Sequence, residues 1–95
     1  MNWYTYILFC NQKIFYVGIT NNLKKRLEQH KKKQSPYTKK FSDIKLVYYE
    51  KHESRRQAEK REIQIKKWSI AKKKSLIQGD IELLKKLSKS HKISE

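Results

Sequence analysis

Trp3-Tyr4-Thr5-Tyr6-Ile7-Leu8-Phe9-Cys10 is aromatic or branched almost without interruption. Residues of this kind suit the pleated backbone of a strand. A strand wetted on one face would alternate apolar and polar positions, whereas an unbroken run needs cover on both faces. The stretch is therefore expected to be the central strand of a sheet with other layers on each side. It is far too short to cross a bilayer. Asn11-Gln12-Lys13 supplies a polar turn, and Ile14 to Ile19 resumes strand character, which predicts an antiparallel hairpin. With an odd number of connecting residues, even positions pair with even ones. Tyr6 and Tyr16 would then be near neighbours on one face of the sheet.

Gly18 interrupts the second strand, which points to a bulge or to a close approach by other atoms. Thr20, Asn21 and Asn22 are good N-cap residues, and a helix is expected from about Asn22 to Lys32. Leu23, Leu27 and His30 share one face of it, and Arg26 stands one turn before His30. Lys33 to Asp43 has no period and carries the only proline, so it reads as a loop. Ile44 to Glu50 makes a third strand. Ser54-Arg55-Arg56-Gln57 has the capping-box pattern and opens a helix to about Trp68. Ala58, Ile65 and Ser69 mark its inward stripe, with Trp68 on one flank and Glu62 on the other edge. Ser69 also caps a shorter helix ending near Gln78, where Gly79 is a natural stop. Asp80 can cap a terminal amphipathic helix, Ile81 to Leu87, before the polar tail Ser88 to Glu95. The β-β-α-β-α order plus C-terminal helices predicts an α+β fold with an antiparallel sheet. One domain over residues 1–78 is expected, followed by the helix and tail of 79–95.

The formal charge of +15 points to a polyanionic partner. Nucleic acid is the first candidate, and its binding would weaken with salt. An anionic membrane surface is a weaker one, because the apolar face of Leu83, Leu84 and Leu87 is short. Cys10 is the lone cysteine, which excludes an internal disulfide and a thiolate-rich zinc site. With no leader pattern, the expected location is the cytoplasm, with nucleoid association compatible with the charge.

Tyr6, Tyr16, Arg26, His30 and Glu62 form the candidate site. Arg26 sits beside the apolar stripe, where a long cation can lie along the core and present its head at the edge. Glu62 could pair with Lys66 on the helix surface, but its place on the inward edge argues for another role. Phosphodiester hydrolysis needs a group to activate water, a cation for the developing charge and usually a carboxylate-held metal. Tyrosine or histidine can supply the first, Arg26 the second and Glu62 the third. A single carboxylate is compatible with Mg²⁺, which keeps several waters. A phenol with pKa near 10 is a poor base at neutral pH, so Tyr6 would need nearby positive charge or metal-bound water.

At these residues the chain resembles the GIY-YIG nuclease superfamily, most closely its short single-domain bacterial proteins. Tyr4-Thr5-Tyr6 stands at the GIY element and Tyr16-Val17-Gly18 at the YIG element, ten residues on. Arg26 matches the family arginine, and His30 the position held by His or Tyr. The segment Ala58 to Ser69 resembles the family's acidic helix, with Glu62 as its glutamate. Tyr37-Thr38 and Leu46-Val47-Tyr48 resemble the short subgroup. The resemblance implies a three-stranded antiparallel sheet flanked by helices and divalent-metal-dependent cleavage of DNA, in repair or recombination. It implies that Tyr6 activates water, Tyr16 lines the pocket, Arg26 steadies the scissile phosphate and Glu62 holds a single Mg²⁺ or Mn²⁺ when substrate is bound. Tyr4, Gly18, Lys24, Lys25, Arg26, Lys31, Lys32, Lys39, Lys40 and Lys66 are then expected to meet the nucleic acid. The Tyr4-Thr5-Tyr6 element keeps only the last residue of the family tripeptide, and the chain lacks cysteines for a zinc-binding module. Substrate choice through a protein partner, or nucleic-acid binding with little cleavage, is the alternative expectation. The chain is expected to be a monomer.

Overall fold

A computed structural model describes residues 2–36 and 38–79. The elements run β1 (Trp3–Cys10), β2 (Ile14–Thr20), α1 (Leu23–Lys31), β3 (Ile44–His52), α2 (Arg55–Lys66) and α3 (Ile70–Gln78). The strands make one antiparallel sheet in the order β2-β1-β3, so the unbroken apolar strand is central, as its composition requires. The expected terminal helix from Ile81 lies outside the described residues.

The hairpin turns tightly. Asn11 and Gln12 both take left-handed backbone, with φ of 51° and 56°, and the Lys13 N–H donates to the Cys10 carbonyl at 3.1 Å. Turns of this hand match the twist of paired strands, and asparagine tolerates the conformation better than most residues. The resulting register pairs Tyr6 with Gly18 and Leu8 with Tyr16. Even positions of β1 and β2 therefore share a face, and Tyr6 lies diagonal to Tyr16. The β1–β2 ladder runs through Gly18 without a shift, so the glycine marks no bulge; the irregular step falls between Ile7 and Leu8 on the β3 side.

Each face of the sheet has its own core. Tyr6, Leu8 and Cys10 pack with Phe41 and Ile44, and with Leu23 and Leu27 of α1. Ile7 and Val17, on the opposite face, pack with Ile65 of α2 and with Leu76 and Ile77 of α3. Thr5 fastens α2 to the central strand by donating its hydroxyl to the Ala58 carbonyl at 3.0 Å. The helix starts are as the sequence predicts: Asn22, Ser54 and Ser69 each accept the backbone N–H three residues on. Gly79 closes α3 in the left-handed region, with φ of 73°. Helix α2 stops at Lys66, two residues short of the expected end. Ser69 therefore leaves the inward stripe and is exposed as a cap; the helical period no longer governs it.

Candidate active site

Strand β1 carries Tyr6 to the middle of the sheet, where its ring lies over Gly18 of β2. A Cβ built on Gly18 would fall 2.5 Å from the Tyr6 Oη, 2.7 Å from its Cζ and 3.1 Å from Tyr16 Cε1. The glycine thus exists to admit the two tyrosines, and the space above it holds the Tyr6 phenol rather than an open surface for nucleic acid. Helix α1 brings the other two groups. Arg26 Nε donates to Tyr6 Oη at 3.3 Å, and Arg26 Nη1 to Gln29 at 3.2 Å. His30 Nε2 lies 2.9 Å from Tyr6 Oη. Tyr16 completes the wall, its ring centroid 6.3 Å from that of Tyr6 and 5.3 Å from that of His30. Tyr6 is 2% exposed and His30 is fully buried.

Burial decides the protonation of both. It pushes the Tyr6 phenol up to about 12, and the Arg26 hydrogen bond opposes this without overcoming it. Burial, aided by the Arg26 charge, pulls His30 down to about 4. At neutral pH the site therefore holds a phenol and a neutral imidazole. The positive charge that a tyrosine base needs is present in Arg26, yet desolvation outweighs it in the closed pocket.

Glu62 approaches from the other side of the sheet, on α2. Its charge is felt at Tyr6, where it adds to the upward shift. Its carboxylate is half-buried and meets Lys66 Nζ at 3.6 Å. The inward position and the pairing with Lys66 thus hold together, where the sequence offered them as alternatives. GIY-YIG nuclease domains generally use divalent metals. Among the described residues no group of three or more His, Cys, Asp or Glu side chains is arranged to hold an ion. A lone carboxylate such as Glu62 suits an ion that keeps water and takes substrate oxygens, and does not suit one caged by protein.

Beside Arg26 a cavity of about 280 Å³ opens at the junction of β2 and α1, lined by Trp3, Asn21, Asn22, Lys25, Arg26 and Gln29. Lys24, Lys25, Lys31 and Lys32 are exposed along α1, and Lys39 and Lys40 are exposed on the following loop. Tyr4 is half-buried and packs edge-on against Tyr49 at 6.1 Å. Lys66 is tied to Glu62.

Two features lie outside the candidate site drawn from the sequence, although Thr38 and Tyr48 stand in segments that resemble the short subgroup. Thr38, from the stretch without period, is buried with its Oγ1 2.6 Å from His30 Nδ1. Glu50 accepts from the Tyr48 hydroxyl at 2.6 Å and from Arg61 Nε at 3.0 Å, joining β3 to α2, and His52 Nε2 lies 3.0 Å from its carboxylate without hydrogen-bond geometry. Arg61 in turn lies over the Trp68 ring at 5.0 Å.

A three-stranded sheet with paired tyrosines on adjacent strands, met by an arginine and a histidine of the next helix, is the arrangement expected from the resemblance to nuclease-type domains. Residues 2–75 match the GIY-YIG catalytic domain, and the chain belongs to the GIY-YIG family. Among its relatives are UPF0213 proteins. One from Clostridium perfringens is 43% identical over 75 residues, covering 78% of this chain and 81% of the relative. One from Syntrophus aciditrophicus is 44% identical over 81 residues, covering 83% and 93%. The solution NMR structure of a UPF0213 protein from Bacillus halodurans is similar in fold, with a TM-score of 0.54 and 30% identity over 82% of this chain and 84% of that one. Among the described residues no helix is long and apolar enough to cross a membrane.

Proposed function

We propose that this protein is a divalent-metal-dependent DNA endonuclease acting on damaged or branched substrates in repair or recombination. The observation that carries the reading is the Arg26 guanidinium, held by the Tyr6 phenol at the mouth of a polar cavity and flanked by exposed lysines of α1. A scissile phosphate seated there would meet Arg26 as a fixed cation, in a setting where such preorganised charge is worth more than in water. Tyr6 would orient the attacking water through its oxygen, and Tyr16 would wall the pocket. Attack forms one phosphorus–oxygen bond and breaks another, leaving a phosphate monoester and a sugar hydroxyl. Glu62 would hold a Mg²⁺ or Mn²⁺ ion, which supplies polarisation of a phosphate oxygen when bound. Lys24, Lys25, Lys31, Lys32, Lys39 and Lys40 would follow the backbone on either side. The protein would act as a cytoplasmic monomer, with a protein partner supplying substrate choice.

A second reading, a non-catalytic nucleic-acid-binding module, is favoured by the pairing of Glu62 with Lys66, which is how a plain helix-surface carboxylate would sit. Incubation of the protein with Mg²⁺ or Mn²⁺ and a panel of plasmid, nicked, branched and RNA substrates separates the two. Strand cleavage that Glu62→Gln abolishes supports the nuclease. Salt-sensitive binding unaffected by Glu62→Gln, without product in either metal, supports the binding module.

A further inference from the structure

The proton positions along Thr38, His30 and Tyr6 follow from a census of donors and acceptors. Tyr6 Oη carries one proton, and its described hydrogen-bond partners are Arg26 Nε and His30 Nε2. Arginine only donates. A phenol proton buried this deeply needs an acceptor, and of the two partners only His30 Nε2 can be one. With Nε2 accepting, a neutral imidazole carries its proton on Nδ1. That nitrogen lies 2.6 Å from Thr38 Oγ1, which can accept it. Burial and the Arg26 charge keep the ring neutral at physiological pH.

We propose that Thr38 is a positioning residue that accepts the Nδ1 proton of His30 and so sustains the tautomer that the Tyr6–Arg26 pair requires, in which Tyr6 points its proton at His30 and turns a lone pair toward the substrate water. The proposal rests on the nuclease reading above. In the opposite tautomer Nε2–H would donate to Tyr6, and the phenol proton would turn outward. Tyr6 would then donate to the water instead of accepting from it, and a water that must lose a proton gains nothing from such a neighbour. Thr38 is suited to the task because it is fully buried. Its backbone is fixed by the turn in which the Thr38 and Lys39 N–H groups donate to the Ser35 carbonyl. The loop between α1 and β3 thereby belongs to the site, two hydrogen bonds away from the Tyr6 oxygen.

Long-range nitrogen NMR of the full-length, ¹⁵N-labelled protein reads the tautomer directly, with His30 assigned by its loss in His30→Gln. The wild type and Thr38→Ser are expected to show His30 protonated on Nδ1. Thr38→Val, which keeps the shape and removes the acceptor, is expected to move population toward Nε2–H. Plasmid nicking should fall by about tenfold or more in Thr38→Val, as for other partners that orient a site histidine, and recover in Thr38→Ser. Should Thr38→Val not fold, Thr38→Ala is read in the same way. A wild-type His30 protonated on Nε2 overturns the proposal. So does an unshifted tautomer in Thr38→Val, or a shifted one with undiminished nicking. The tautomer is read without DNA, so the expected spectra from a wild type that cuts no DNA would overturn the nuclease reading and leave the proton placement standing.

Discussion

Gly18 is the least forgiving position in the site. Any Cβ at position 18 would lie 2.5 Å from the Tyr6 hydroxyl, and the ring beneath that hydroxyl is walled in by Tyr16 and His30. Gly18→Ala is expected to displace the phenol from Arg26 and His30 and to cost about 1–3 kcal/mol, the usual penalty of overpacking. Urea denaturation measures the cost, and a retained far-ultraviolet circular dichroism spectrum would show that the fold survives. His30 gives a second expectation, with the sign set by its lowered pKa. The unfolded chain binds a proton near pH 6.5, whereas the native imidazole resists until about 4. Stability from this group is therefore complete above pH 6.5 and falls as the pH drops toward 4, by at most about 3 kcal/mol. Urea midpoints taken across that range should slope in the wild type and flatten in His30→Gln. Residue by residue, the sequence was legible where chemistry is local. It marked Gly18 as special, but the atom that crowds it comes from the neighbouring strand.

Elements with their own punctuation were legible in outline. Ser54 and Ser69 announce their helices because a hydroxyl that takes the third N–H is a local event, visible in four residues. The apolar run of β1 announced its central place because both of its faces need cover. The stretch from Lys33 to Asp43 was not legible, since it has no period and no repeating contact. It nonetheless buries Ser35, Thr38 and Phe41, and Asn11 stitches its end to the hairpin by accepting from Ser42 and Asp43. The end of α2 was misjudged for a related reason: the apolar spacing runs on past Lys66 after the helix has stopped. Helix α2 carries Glu62, the carboxylate of the proposed site. Ser54→Ala should cost about 1 kcal/mol through loss of the cap. Ile65→Ala, which empties a fully buried position between α2 and the sheet, should cost about 2–5 kcal/mol. Thermal unfolding ranks the two, and an equal or inverted order would contradict the packing described.

Across the whole molecule, charge and fold divide the work. The net charge of +15 is a statement about partners and not about architecture. Binding to duplex DNA should weaken steeply between low and physiological salt, and Lys24→Ala with Lys31→Ala should make the logarithmic slope shallower by about two. The sequence singled out the candidate residues one by one, through their types, their spacing and the resemblance those carry. It placed Tyr6 and Tyr16 on one face of the sheet, but it did not reveal that Arg26 and His30 meet them there while Glu62 arrives from the helix behind it. That arrangement depends on which face each helix covers, a property of the assembled sheet. The most direct test is single-turnover nicking of supercoiled plasmid in Mg²⁺, with DNA affinity measured on the same samples. Wild type should cut, whereas Arg26→Ala should lose about a hundredfold or more in rate, the usual loss when one preorganised charge is removed. Glu62→Gln should likewise fail to cut while binding DNA as tightly as wild type. Cutting by either variant at the wild-type rate would contradict the site assigned to this chain.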